Sequence, residues 1–208
     1  MLFLSTALPV SADAADYTTK QYNVSVNVNK DNSAYITETI HVDIHNPIHG
    51  IYRYIPLSQT VQYQDSKGNN IKTTRFPMKV QDISVGNEEK KLSREKGNQV
   101  IRIGNANKTV QGDKTYVLSY KSRMYDDGIH DYDSFFYTVL PYDWETAVQS
   151  STINITMPAK FNPKELDVYA GPKGRKTNTG DIRTSVHGNT ITIHTADQIG
   201  RASCRERV

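Results

Sequence analysis

Cysteine and tryptophan are almost absent: Cys204 and Trp144 are the single examples in 208 residues. That excludes an internal disulfide framework and the multi-cysteine zinc and iron–sulfur sites. Helical periodicity is missing as well, since no segment repeats its apolar residues at a 3.6-residue spacing for long enough to build a substantial helix. Nowhere does an uninterrupted apolar run reach the 18 or so residues of a membrane-crossing helix. Charge of one sign is scarce. The formal net charge is +3, and the last ten residues, with three Arg and one Glu, supply +2 of it, so no electrostatic case for nucleic acid remains. There is no G-x-S-x-G, no H-E-x-x-H and no Gly-rich phosphate loop, which removes the recognisable nucleophile elbow, zinc-protease helix and nucleotide cradle.

What the chain does have is tyrosine, thirteen of them, with abundant Val, Thr and Asn. These residues suit half-buried pleated surfaces. From Tyr22 the pattern has period two: Val24, Val26 and Val28 alternate with Asn23, Ser25 and Asn27. The turn residues NKDNS (Asn29 to Ser33) follow, and Ala34, Ile36, Ile40, Val42 and Ile44 resume the alternation, which predicts an antiparallel hairpin. Further strand-like runs are MKVQDISV, QVIRIG, KTYVLSYKS, SFFYTVL, STINITM, ELDVYA and TITIH, with a polar turn at Lys67 to Asn70. About ten strands with one apolar face each must cover one another. The expected fold is all-β, a single-domain antiparallel β-sandwich of the immunoglobulin or fibronectin kind. EEKKLSREK (Glu88 to Lys96) reads as a solvated hairpin, and GPKGRK (Gly171 to Lys176) as a solvated loop or a site for anionic wall polymer or lipid.

The two ends read differently from the middle. Residues 1–14 have an apolar run, Leu2 to Val10, then Ala12-Asp13-Ala14, which resembles a signal peptide lacking its basic start. At the other end, IGRASCRERV resembles the translation of a widely used sequencing adapter in one reading frame. Residues 198–208 are therefore expected to be non-native, leaving a domain over 15–197 that is truncated at its C-terminus. The competing reading is a genuine basic tail on anionic lipid. Without Cys204 the chain has no cysteine, which suits export.

Several constellations could carry chemistry. His41, Asp43 and His45 share the wet face of one strand and could offer a metal two imidazoles and a carboxylate, or be a plain solvated face. The loop YDDGIHDYDSF holds Asp126, Asp127, His130, Asp131 and Asp133, either an acidic turn or an irregular calcium site. Trp144 is either a core plug or a sugar-stacking platform. Glu38 is the odd residue, because the alternation of Ile36 and Ile40 points it at the core. A buried carboxylate needs a cation, and Arg53, the sole Arg among the first 74 residues, is the candidate. The alternative role, a general acid or base in a cleft, finds no nearby nucleophile in the sequence.

Four stretches carry a family resemblance: ITETIHVDI (Ile36 to Ile44), HGIYRYIPL (His49 to Leu57), VIRIGNANKTVQGDKTYVLSY (Val100 to Tyr120) and FFYTVLPYDWETAVQSSTINITMP (Phe135 to Pro158). Together they resemble the N-terminal domain of bacterial membrane proteins grouped as domain of unknown function 2207. The resemblance implies a signal peptide, an extracytoplasmic β-rich domain and a C-terminal transmembrane segment beyond the visible chain. It implies a location, the extracytoplasmic face of the cell membrane, and no reaction. The expected role is binding, assembly or sensing at the cell surface, with a protein or cell-wall partner and no resident cofactor. The competing class is a calcium- or metal-dependent carbohydrate-binding module or hydrolase.

Overall fold

The computed structural model describes residues 15–64, 71–124, 135–141, 144–171, 181–199 and 203–207. The predicted hairpin opens the chain as β1 (Tyr17–Val28) and β2 (Ser33–Ile48), paired antiparallel. Its turn follows from the side chains: the Asp31 carboxylate accepts from the Ser33 amide at 3.2 Å and the Ser33 hydroxyl at 2.5 Å, while Asn32 takes the left-handed φ of 57° that Asn tolerates. Chain order continues with β3 (Ile51–Pro56), β4 (Ser58–Gln64), β5 (Ile71–Ser84), β6 (Lys90–Glu95), β7 (Asn98–Ile103), β8 (Val110–Met124), β9 (Phe136–Thr138) and β10 (Val148–Thr156). After a 3-10 turn at Pro163–Glu165 come β11 (Asp167–Gly171), β12 (Asp181–His187), β13 (Thr190–Ile199) and β14 (Ser203–Arg207).

Eight strands form one sheet in the order β12-β13-β10-β1-β2-β8-β5-β4. Two three-stranded sheets accompany it, β3-β7-β6 and β11-β14-β9; β14 lies in the stretch assigned above to a foreign tail. The fold is all-β and sandwich-like, as the alternation predicts. Among the described strands it departs from a purely antiparallel design at one place, where β10 joins β1 in parallel, Val24 opposite Ile153 and Val26 opposite Ile155. No tight turn links these two strands, so the local chemistry that made β1 and β2 antiparallel does not govern them.

The core lies between the large sheet and β3-β7-β6. Val24, Val26, Ile36, Ile40, Leu118, Ile153 and Ile193 of the large sheet join Ile51, Ile55, Ile101 and Ile103 of the small one in a single buried cluster. Burying each such side chain is worth about 1.5–3 kcal/mol. Two glycines let the corners close. Gly50 (φ +126°) and Gly104 (φ +133°) sit against each other, and a Cβ on either would collide with the carbonyl of Ile103 or His49. EEKKLSREK supplies the last two residues of the turn after β5 and the whole of β6, whose residues are all exposed, so charge guards this edge of the small sheet. Residues 67–70 and 172–176, the other two predicted turns, lie outside the described residues, Gly171 apart.

Candidate functional site

Glu38 lies on β2 between Leu118 of β8 and Val24 of β1 and is wholly buried. The strand alternation leaves no other choice: with Ile36 and Ile40 pointing inward, the residue between them in register does too. Its carboxylate is met by four donors, two at each oxygen. Oε2 accepts from Arg53 Nε at 2.8 Å and from the Tyr22 hydroxyl at 2.5 Å. Oε1 accepts from Arg53 Nη2 at 2.9 Å and from the Tyr120 hydroxyl at 2.7 Å. The phenols come from diagonal cross-strand positions, Tyr22 opposite Ile40 and Tyr120 opposite Ile36, while Arg53 descends from β3 of the facing sheet.

The network has one more member. Tyr120 has spent its only proton on Glu38, so in its contact with the Tyr137 hydroxyl it accepts and Tyr137 donates. Arg53 Nη1 donates to the carbonyl of Tyr54. Every member is buried: Arg53 is 2% exposed and Glu38 0%. Burial pushes the Tyr22 and Tyr120 phenols well above the ordinary tyrosine range, and the Glu38 charge adds to the effect. Tyr137 is raised in the same way. For Arg53 burial is the largest influence and works against the charged form, but Glu38, Tyr22 and Tyr120 together outweigh it and the guanidinium holds its proton more tightly than usual. Beside Arg53, a cavity lined by Gln59, Met78, Tyr137 and Pro141 has room for about one water molecule.

Trp144 forms a second polar knot at the same interior. It is buried, its Nε1 donates to Thr19 Oγ1 at 2.8 Å, and the Thr19 and Thr146 hydroxyls lie 2.6 Å apart. The indole meets Tyr22 edge-on at 5.2 Å and Tyr17 at 6.4 Å, so Tyr22 belongs to both knots. A sealed indole is a plug and offers no stacking platform.

His41, Asp43 and His45 do not assemble into a ligand set. A bulge in β1 between Thr19 and Gln21 turns Lys20 onto the outer face of the sheet. Its ammonium lies 3.1 Å from Asp43 and 2.7 Å from Asp113, and His41 Nε2 reaches the same Asp113 oxygen at 3.2 Å. Asp43 is thus already engaged by a lysine and His41 by Asp113, and the Lys20 hydrogen bond holds the Asp113 carboxyl below the usual range. His45 is exposed farther along β2. Among the described residues no three His, Cys, Asp or Glu side chains converge as metal ligands. Asp126, Asp127, His130, Asp131 and Asp133 lie outside the described residues. The sequence reading missed Tyr22, Tyr120 and Tyr137, although Tyr22 keeps the inward register of Val24 and Val26.

Comparison with known proteins adds a family. No curated protein matches the chain. Among solved structures it is similar to an M1 zinc metallopeptidase from Deinococcus radiodurans, at TM-score 0.45 and 8% identity over 92% of this chain and 42% of that one. A two-domain M1 zinc metallopeptidase bound to L-tryptophan gives TM-score 0.45 and 8% identity over 93% and 43%. The chain spans less than half the length of these structures, and a likeness of this grade says nothing of activity. The family model described as predicted membrane protein (DUF2207), N-terminal domain, matches residues 18–201. By that match, spanning the whole sandwich from β1 to β13, the chain belongs to the DUF2207 predicted membrane protein family and represents its N-terminal domain.

Proposed function

We propose that this domain stands on the extracytoplasmic side of a membrane-anchored bacterial protein and works there by binding, assembly or sensing rather than by catalysis. One observation carries the second half. The acid and base groups gathered around Arg53 (Glu38, Tyr22, Tyr120 and Tyr137) are satisfied by one another and by Arg53 and are closed to solvent. A general acid or base must reach the proton it moves. Here the carboxylate fastens one sheet to the other, and the adjoining cavity admits no substrate larger than water. The location is supported by the signal-like start and by a chain without cysteine before Cys204. Among the described residues no helix is long and apolar enough to cross a membrane.

Labelling in whole cells tests the location. With Cys204, where the gene encodes it, changed to Ser, Lys160→Cys places a thiol at an exposed position before the 3-10 turn. In cells expressing the full-length gene, a membrane-impermeant maleimide should label it without lysis. Labelling only after the membrane is broken would place the domain on the cytoplasmic side.

A further inference from the structure

The outward face of the small sheet carries a second feature that the interior does not explain. Alternation on β3 sends Ile51, Arg53 and Ile55 inward, so Tyr52 and Tyr54 point out, with ring centroids 6.4 Å apart and planes 25° from parallel. Tyr52 is 44% exposed. Opposite Tyr52 on β7 stands Arg102, and opposite Arg102 on β6 stands Lys91, so one cross-strand row reads Tyr52, Arg102, Lys91. Two cations directly opposite each other on an antiparallel pair repel. No ion pair with a described residue relieves them. Glu89 and Glu95, at the two ends of β6, turn instead to Asn105 and Ser93. Arg102 Nε is buried and has no hydrogen-bond partner among the described residues, which leaves one guanidinium donor unsatisfied in this row.

We propose that this row is a binding site for an anionic saccharide, a pyranose ring bearing a carboxylate or phosphate. The guanidinium and the Lys91 ammonium supply the charge that an oxyanion needs, with Arg able to meet it by two parallel bonds. The exposed Tyr52 ring beside Tyr54 offers the flat apolar surface against which the C–H face of a sugar packs. A free inorganic anion would use the cations alone and ignore the rings. The inference rests on the surface-binding reading for its biological sense and on the row itself for its chemistry, so the two fail separately: whole-cell labelling decides the location and binding to purified domain decides the ligand.

The test is titration of the purified full chain with tetragalacturonic acid, maltotetraose, inorganic phosphate, and phosphatidylglycerol vesicles. The expected result is binding of tetragalacturonic acid with Kd of about 1 mM or tighter, weakened by added salt, and at least about tenfold weaker binding of the neutral tetrasaccharide. Tyr52→Ala, Lys91→Gln and Arg102→Gln should each weaken it by about tenfold or more. Lys91 and Tyr52 are exposed, so their variants remain informative if Arg102→Gln melts early. Absence of binding at about 10 mM, or affinity unchanged in the Tyr52 and Lys91 variants, overturns the proposal. Inorganic phosphate bound as tightly as the acidic glycan would reduce the row to an anion site, and binding to vesicles alone would reassign it to a lipid surface.

Discussion

Arg53 and Glu38 clasp each other across the interior by two parallel hydrogen bonds of 2.8 and 2.9 Å, one residue from each of the two facing sheets. Removing one partner strands the other charge in the core, which costs about 3–5 kcal/mol for a buried pair. Glu38→Gln and Arg53→Ala should therefore each cost about that much in denaturant unfolding, and the double change clearly less than their sum. Additive losses would show that the two side chains do not act as a unit.

The phenols around Glu38 should rank by what they touch. Tyr22→Phe removes a hydrogen bond to a carboxylate, worth about 1.5–3 kcal/mol, whereas Tyr137→Phe removes one between neutral hydroxyls, worth about 0.5–1.5 kcal/mol. Unfolding midpoints of the two variants check the order; equal losses would mean that the Glu38 charge is not felt at Tyr22.

Alkali should unfold the domain through these same groups. Burial raises the phenols of Tyr22 and Tyr120 well above their ordinary value and pushes Tyr116 up to about 12, with the Glu88 charge a smaller cause. Raised acids bind their protons more tightly when folded, so unfolding releases protons. The stability tied to them is complete below the unfolded tyrosine value of about 10 and drains away as pH rises through the folded values. Melting temperature should fall above about pH 10, and phenolate absorbance from the buried tyrosines should appear together with loss of the β-sheet signal. Buried phenolate forming in a chain that stays folded would contradict this.

The corner glycines should differ sharply from an open one. Gly50→Ala and Gly104→Ala add both backbone strain and a collision with a carbonyl, for a cost of about 3 kcal/mol or more. Gly188 has positive φ (66°) but open space around it, so Gly188→Ala should cost only about 1–2 kcal/mol. Thermal melts of the three variants, at about 2–4 °C per kcal/mol for a domain of this size, resolve the difference.

On the outer face, the double change His41→Ala and His45→Ala should leave the melting temperature within about 2 °C, because exposed contacts such as that of His41 with Asp113 contribute little. Added zinc should not raise the melting temperature of the parent chain. A zinc-dependent rise that vanishes in the double variant would restore the metal reading.

Much of this was legible because period-two alternation is a local signal. It paired β1 with β2 as an antiparallel hairpin, and it exposed Glu38 as a carboxylate out of place between two isoleucines. The shortage of arginine then narrowed the partner to Arg53. The tyrosines were not legible, since Tyr120 lies 82 residues from Glu38 and only the pairing of β2 with β8 brings it near. Lys20 was hidden for a different reason: a bulge, which alternation cannot foresee, turns it onto Asp43, one of the residues that suggested a ligand set. The parallel partnership of β1 was equally invisible, because no turn joins it to β10.

That partnership sets a schedule for synthesis. Asn23 Oδ1 accepts from the Thr152 amide at 2.9 Å, a bond spanning 129 residues of chain. At ribosomal rates, on the order of 6 to 26 s separate the appearance of the two residues. Through that interval β1 has one neighbour, β2, and its other edge offers a row of unpaired amides and carbonyls to any passing strand. The nascent chain is therefore most prone to mispair early, and the hairpin that forms first completes its sheet only when the last third of the domain arrives.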